Sequence, residues 1–503
     1  MFNKYTILTA ILFLASGLAE QNCQLRTIRL PFGNCSFSPA SGSYVYSTGI
    51  LLGVGSTDSV CGMPSTVLNS TLIPSSDVCA DEWLSLKSGS SLVNMTREQC
   101  RSRRGGYVDR DDLTAASSND LSSLSKLNPG WVSITNDTDT PFRYAVEADL
   151  RMQDQSVTML EGLISEGQQH AMSHIGLAET STLLQSLKDA DLIGAKSWGL
   201  DAGSQSFNAP RNGSLVLGGY DASSFEGGWF SYDIPKSNLV RERSCPLQVQ
   251  ITHIELTAQI GRNKSRSESP ITPGNPLTAC IEPYDNQFRF PDSILGATER
   301  LLGKDDAVDS SKHPDLYNLE SGLLYESSAN ISFSITITIE DGLTIEIPSH
   351  ELVRPLRGLD KDGVPAVNSS FTEVQVFAEE GPLAGPVLGK VFLSQVYLFV
   401  NQENSTFSLA RQKSGQTFLD VKPSGKCPSA SILTKADKGL IAVGVVLGVL
   451  IIGIVCYVAY RCWMAPLTSG HTAPDPEAEQ IQRPNDLDYP EIPTPPRAYD
   501  EER

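Results

Sequence analysis

The sequence predicts a mainly β, two-lobed extracellular domain followed by one membrane-spanning helix and a disordered tail. Three observations carry this. The chain has 503 residues, too many for one compact core and enough for two lobes or domains with accessories. From about residue 43 to residue 412, short apolar stretches are punctuated by Gly, Pro, Asn and Asp, as strands and turns require. There are also two longer apolar runs, one at the N-terminus and one over residues 439–460.

The N-terminal run is a secretory signal. Lys4 precedes an apolar core from Ile7 to Leu14, and small residues (Ala15, Ser16, Gly17, Ala19) precede Glu20. This core is too short to span a bilayer, and the small residues place cleavage near Ala19. The ectodomain is expected over residues 20–412. Within it, Ile331 to Ile339 alternates strictly, the mark of a half-buried strand. Residues 387–400 and 407–410 read as two strands around a turn at Asn404 and Ser405. Residues 181–193 place Leu183, Leu187 and Ala190 on one helical face, with Gly194 as a stop. Residues 291–302 read as a second short helix.

Residues 413–438 read as a stalk containing Ser, Lys and Gly. The next 22 residues, 439–460, are uncharged and bracketed by Lys438 and Arg461. As a helix they would reach about 33 Å, enough for a hydrocarbon core. With a cleaved signal, this orients the chain as a single-pass type I membrane protein of the secretory pathway, expected at the plasma membrane with its N-terminal domain outside. Residues 461–503 form an acidic, proline-rich tail that cannot bury a core and is expected to be disordered. Its segment from Tyr489 to Arg497 suits extended polyproline structure, either as a plain spacer or as a ligand for an SH3- or WW-like module. Gly444 and Gly448 form a GxxxG within the span, a spacing that admits a parallel homodimer.

Charge and cysteine usage agree with this placement. The net charge is −19, which argues against a nucleic-acid partner. Cys23, Cys35, Cys61, Cys79, Cys100, Cys245, Cys280 and Cys427 all lie on the outer side, in a compartment that oxidises thiols. The pairs expected are Cys79–Cys100 and Cys245–Cys280. Cys456 and Cys462 sit at the inner membrane edge, where a palmitoylated and an unmodified thiol fit equally well. Glycosylation triplets begin at Asn34, Asn69, Asn94, Asn136, Asn212, Asn263, Asn330, Asn368 and Asn404, all before the span. Neither a CxxC pair nor a His cluster points to a metal, and no cofactor is expected.

Several motifs resemble the pepsin-like aspartic peptidase family. Ile175-Gly176-Leu177 precedes the helical Thr182-Leu183-Leu184-Gln185-Ser186-Leu187. Gly213-Ser214-Leu215-Val216-Leu217-Gly218-Gly219-Tyr220-Asp221 follows. Val387-Leu388-Gly389-Lys390-Val391-Phe392-Leu393 and Tyr397-Leu398-Phe399-Val400 are similar to the family's closing segment. The resemblance implies two six-stranded lobes around a long cleft, an N-lobe at about 40–225 and a C-lobe at about 226–412. It also implies one Asp-Thr/Ser-Gly loop from each lobe. Two carboxylates held that close share a proton, so one serves as base while the other polarises the amide carbonyl.

Neither loop keeps the expected acid. Counting back from Pro74 and Pro291 with equal spacing puts the motifs at Ser65-Thr66-Val67 and Glu282-Pro283-Tyr284. Ser65 has a hydroxyl where a carboxylate belongs, and that hydroxyl has no useful acidity. Val67 replaces a glycine of the tight loop. Glu282 keeps a carboxyl on a longer stem. The family's flap tyrosine, normally followed by glycine, belongs in residues 133–144, and no Tyr-Gly occurs there. Three other acids are candidates. Asp201, in Asp201-Ala202-Gly203-Ser204, reads as a strand residue outside the cleft. Asp285 reads as a solvated loop acid, and Asp58 as a turn residue. No Gly-X-Ser-X-Gly elbow or Ser-His-Asp arrangement is suggested. With Cys100-Arg101-Ser102-Arg103-Arg104-Gly105-Gly106-Tyr107, the chain resembles a group of fungal pepsin-like membrane proteins with degenerate catalytic motifs.

The resemblance therefore implies a cell-surface glycoprotein of pepsin fold without catalysis, holding an extended peptide, a wall polymer or a protein partner in its cleft. The alternatives are an active membrane-anchored aspartic-type endopeptidase with unconventional site residues, and a surface glycoprotein of structural role.

Overall fold

A computed structural model describes residues 25–34, 48–55, 58–80, 85–88, 91–94, 96–103, 105–109, 113–115, 142–164, 173–208, 210–235, 239–240, 243–260, 264–303, 307–308, 323–359, 365–379, 385–413, 419–425 and 453–461. The chain divides into two units, Met1–Ser429 and Ala430–Arg503. The signal segment, residues 439–452 of the expected span, Gly444, Gly448 and the tail after Arg461 lie outside the described residues. In the second unit, residues 453–461 are helical, with Ile454, Val455, Tyr457, Val458 and Tyr460 exposed. Among the described residues no helix is long and apolar enough to cross a membrane.

The first unit is mainly β. A 13-stranded sheet begins with Phe225–Asp233, Thr406–Gln412, Val396–Asn401, Ser197–Asp201, Ser214–Leu217 and Ile28–Asn34. These six strands bring the two ends of the domain together. The sheet continues through Thr48–Val54 and Asp58–Ser65 to the hairpin Phe142–Met152/Gln155–Ile164. A second, 8-stranded sheet is built around Gln248–Ile260. In its strand Ile331–Ile339, Phe333, Ile335, Ile337 and Ile339 are buried while the residues between them stay half-exposed. The alternation read in the sequence is thus the pleat of a one-sided strand.

The same four-strand device occurs once in each half. In the first, Asp58–Ser65 runs parallel to Ser173–Gly176, which pairs antiparallel to Leu72–Pro74, which runs parallel to Gln155–Ile164. In the second, Leu277–Ile281 runs parallel to Val387–Leu388, which pairs antiparallel to Phe288–Phe290, which runs parallel to Val376–Ala378. The Ser65 and Glu282 loops therefore occupy equivalent places in a duplicated topology.

Both expected helices form. Thr182–Asp189 is capped by Ser181, whose Oγ accepts the Leu184 N–H at 3.2 Å, and it buries Leu183, Leu184 and Leu187. It stops before Gly194 because Asp191 turns left-handed (φ 54°) and the Leu192 N–H returns to the Leu187 carbonyl, closing the end as a C-terminal cap does. Ala190 is left exposed. Asp292–Leu302 buries Ile294, Ala297, Thr298, Leu301 and Leu302. The stretch 387–400 is not one strand. Gly389 breaks it, and the short helix Lys390–Leu393 intervenes before Val396–Asn401. Within the stretch read as stalk, Val421–Pro423 pairs with Gly219–Asp221.

Cys79–Cys100 and Cys245–Cys280 are disulfides, with Cα atoms 5.8 and 5.5 Å apart. Cys61 is also disulfide-bonded. Cys23, Cys35, Cys427 and Cys462 lie outside the described residues, and Cys456 is a free, exposed thiol. The glycines after the Arg97–Arg103 helix have a packing role. Gly105 and Gly106 hold φ of 73° and 102°, and the Gly105 carbonyl accepts the Cys61 N–H at 2.6 Å. A side chain at Gly106 would enter the backbone of Ser59 and Val60.

Candidate functional site

The site is built from the two equivalent loops. Each leaves a strand, passes under a glycine of the parallel neighbour, and turns back. Gly176 stands opposite Ser65, and a β-carbon on it would lie 2.5 Å from the Ser70 carbonyl oxygen. Gly389 packs as closely on the carbonyls of Asp285 and Gln287. In both halves a residue without a side chain is what lets loop and strand meet. Val67 fits without a left-handed backbone, so the glycine expected at that position is not required by the loop conformation. Its side chain is buried.

The structure brings Ser65 and Glu282 together through Thr66. The Thr66 hydroxyl lies 2.6 Å from Glu282 Oε2 and 3.1 Å from the Ile281 carbonyl, and the Thr66 N–H donates to the same Oε2 at 3.0 Å. Glu282 Oε1 accepts the Tyr284 N–H at 3.0 Å. Ser65 is 0 % exposed and Glu282 1 %. Burial pushes the Glu282 carboxyl up to about 7, while hydrogen bonds from Thr66, Tyr284 and Ser65 pull it partly back. Desolvation outweighs those donors. Behind Glu282, the Tyr284 ring stacks on His174 with centroids 3.9 Å apart and planes 20° apart.

A buried cation also approaches the first loop. Lys390 follows Gly389, and its amine lies 3.4 Å from Met63 Sδ and 5.3 Å from the centre of the Phe32 ring. Burial lowers its pKa from 10.5 to about 7. Met63 is two residues before Ser65, so Lys390 links the second half to the strand that delivers the first motif. In the sequence Lys390 stands only as one position of the closing-segment motif. A charged residue inside Leu388-Gly389-Lys390-Val391, otherwise apolar, was the signal available.

The other acids are engaged elsewhere. Asp201 is buried, takes two contacts from Arg211 Nη1 (2.8 and 2.6 Å) and accepts the Gly203 N–H at 2.9 Å. Asp285 is a buried acid, not an exposed loop residue. It pairs with Arg289 Nε at 2.5 Å and accepts the Gln287 N–H at 3.1 Å. Asp58 opens its strand opposite Val54. Residues 133–141, where most of the flap segment falls, lie outside the described residues. Among the described residues no group of His, Cys, Asp and Glu could hold a metal ion. The arrangement at the loops can thus carry one proton on one carboxyl, with a serine hydroxyl facing it.

Glu161 is a buried acid that no motif in the sequence marks. It points inward from Gln155–Ile164 in line with Val157, Met159 and Leu163, opposite Val146. Among the described residues neither carboxyl oxygen has a hydrogen-bond partner, and burial pushes the carboxyl up to about 8. A polar break in that inward series was the only sequence signal.

Of the glycosylation candidates, Asn212, Asn330 and Asn404 are exposed. Asn69 and Asn368 are half-buried, their Oδ1 atoms accepting the N–H of Thr180 (2.9 Å) and Ser370 (3.0 Å). The side chains of Asn34, Asn94, Asn136 and Asn263 lie outside the described residues.

No curated protein matches the chain. A family model described as eukaryotic aspartyl protease matches residues 137–412, more than half the sequence. That match runs from the hairpin before Glu161 through the Glu282 loop to the closing strands, and with it the duplicated topology has its explanation: the chain belongs to the eukaryotic aspartyl protease family.

Proposed function

We propose that this chain is a single-pass type I membrane glycoprotein whose pepsin-type ectodomain does not hydrolyse peptides and instead holds an extended peptide, a wall polymer or a protein partner at the cell surface. One observation carries the reading. The two loops meet with a single carboxyl, Glu282, held by Thr66 and Tyr284 and facing the hydroxyl of Ser65. Amide hydrolysis by this fold needs a second acid, because one group must take the proton of water while another polarises the carbonyl. Binding an extended chain through backbone hydrogen bonds has no such requirement.

The test is a cleavage assay with the purified chain and an unfolded protein substrate between pH 3 and 7, with and without a statine-type inhibitor. No inhibitable cleavage is expected. Cleavage that the inhibitor blocks would overturn the proposal. It would favour the second reading, a membrane-anchored endopeptidase that uses Glu282, whose pKa near 7 lies in the range of acid–base work.

A further inference from the structure

The outer face of the sheet that joins the two ends of the domain carries a cluster of rings near the point where the chain leaves it. Tyr220, Phe225, Trp229 and Phe399 are half-buried and touch one another. Phe225 and Trp229 centroids are 4.2 Å apart, those of Tyr220 and Phe399 5.1 Å, and those of Tyr220 and Trp229 5.6 Å. Beneath them, the buried Tyr397 ring packs on Phe225 with centroids 5.3 Å apart, and its oxygen accepts the Asp221 N–H at 2.8 Å. The ladder between Phe225–Asp233 and Thr406–Gln412 is interrupted between Glu226 and Phe230. A bulge of this kind re-aims side chains, and here Trp229 stands against Phe225. Gly227 and Gly228 leave open space beside it.

Two features say what meets this face. Leu419 is 62 % exposed, immediately before the strand Val421–Pro423 that pairs with Gly219–Asp221. Only residues 426–438 then separate the described domain from the expected span at 439, a tether of at most roughly 45 Å at full extension. The flanking charges are balanced, with Glu226 opposite Arg411 and Asp420 paired to Lys422 at 2.6 Å. Tryptophan and tyrosine gather at the headgroup level of bilayers, where the ring is apolar and its edge is wet.

We propose that Tyr220, Phe225, Trp229, Phe399 and Leu419 form a membrane-facing surface that seats the ectodomain on the headgroup layer of the bilayer its own chain spans. This rests on the type I membrane reading above. The balanced charges and the acidic ectodomain point to zwitterionic lipid, so seating should be insensitive to salt.

The experiment uses the full chain, one copy per phosphatidylcholine nanodisc, with acyl chains brominated near the headgroup. The tryptophan quenching lost on Trp229→Phe is the signal. It should be a clear fraction of the total, unchanged between 50 and 500 mM salt, and reduced at least twofold by Leu419→Asp, an exposed change that leaves the fold intact. A chain that resists alkaline extraction but whose quenching is the same with and without Trp229 overturns the proposal. Shielding of Trp229 from aqueous acrylamide that requires two chains per disc assigns the face to a second copy and overturns it as well. A chain that alkaline carbonate strips from vesicles overturns the membrane reading itself, a separate outcome.

Discussion

Thr66 holds Glu282 from the opposite half of the domain: one side-chain oxygen of Glu282 receives both the hydroxyl, at 2.6 Å, and the N–H, at 3.0 Å, of a residue 216 positions earlier. The same hydroxyl reaches the Ile281 carbonyl at 3.1 Å. Thr66, the residue after the first expected acid position, therefore serves two ends, fixing the Glu282 carboxyl and joining the halves.

Thr66→Val should keep the shape and the N–H contact while removing the hydroxyl. A buried carboxyl oxygen then loses a short donor, a loss of about 1–3 kcal/mol. Chemical denaturation at pH 6 should show that drop in midpoint with an unchanged slope. Thr66→Ser should recover most of it. Equal stability of Thr66→Val and the parent chain would show that the link contributes nothing.

Arg289→Met leaves Asp285 charged and buried without its guanidinium. Breaking one side of such a pair costs about 3–5 kcal/mol, whereas replacing both sides with apolar groups is often neutral. The double variant Asp285→Leu/Arg289→Met should therefore be more stable than Arg289→Met alone. Thermal unfolding of the three chains decides it, and a double variant no better than the single would count against a net desolvation cost at this pair.

Gly389→Ala should be far more damaging than Gly274→Ala, an exposed glycine whose added methyl meets nothing within 4 Å. At Gly389 the methyl enters backbone carbonyls of the Glu282 loop, which cannot move as a flexible side-chain end could. Overpacking of this kind costs typically about 1–3 kcal/mol or more. Expression yield and melting temperature of the two variants provide the comparison.

Much of this architecture is visible in the chain itself, and the parts that are not have a common cause. Ile331–Ile339 shows its pleat because one face is core and the other is not. The equal spacing from Ser65 to Pro74 and from Glu282 to Pro291 reflects two loops of one length on a duplicated frame. What stays hidden depends on neighbours distant in sequence. Asp285 looked like a solvated loop acid because nothing local says that Arg289 turns inward to meet it. Val67 stands where the resemblance places a glycine, and nothing local to it says that the loop needs no left-handed residue there. Glu161 and Lys390 gain their character only from the walls around them, and those walls come from other strands.

Those two buried groups, with Glu282, make a pH dependence whose sign can be worked out. An acid whose folded pKa lies above its unfolded value near 4.5 keeps its proton longer in the folded chain. Its contribution to stability is fully present below 4.5 and is lost as pH rises, through about 7 for Glu282 and about 8 for Glu161. For Glu282 the full loss is on the order of 3 kcal/mol. Lys390 acts in the other direction and in another window, adding stability only as pH rises from about 7 toward 10.5. Between pH 4.5 and 7 the carboxyls alone set the slope among these three groups. Glu282→Gln and Glu161→Gln should each flatten the fall in unfolding free energy over that range, and the double variant should flatten it most. Glu161→Leu should also raise stability at pH 8, because it replaces a carboxyl that has no hydrogen-bond partner among the described residues with a side chain that Val157, Met159 and Leu163 can pack. Urea titrations at half-unit pH steps measure all of this. A parent chain whose stability rises steadily from pH 4.5 to 7, with the Gln variants rising in parallel, would mean that both carboxyls are ionised in the folded state.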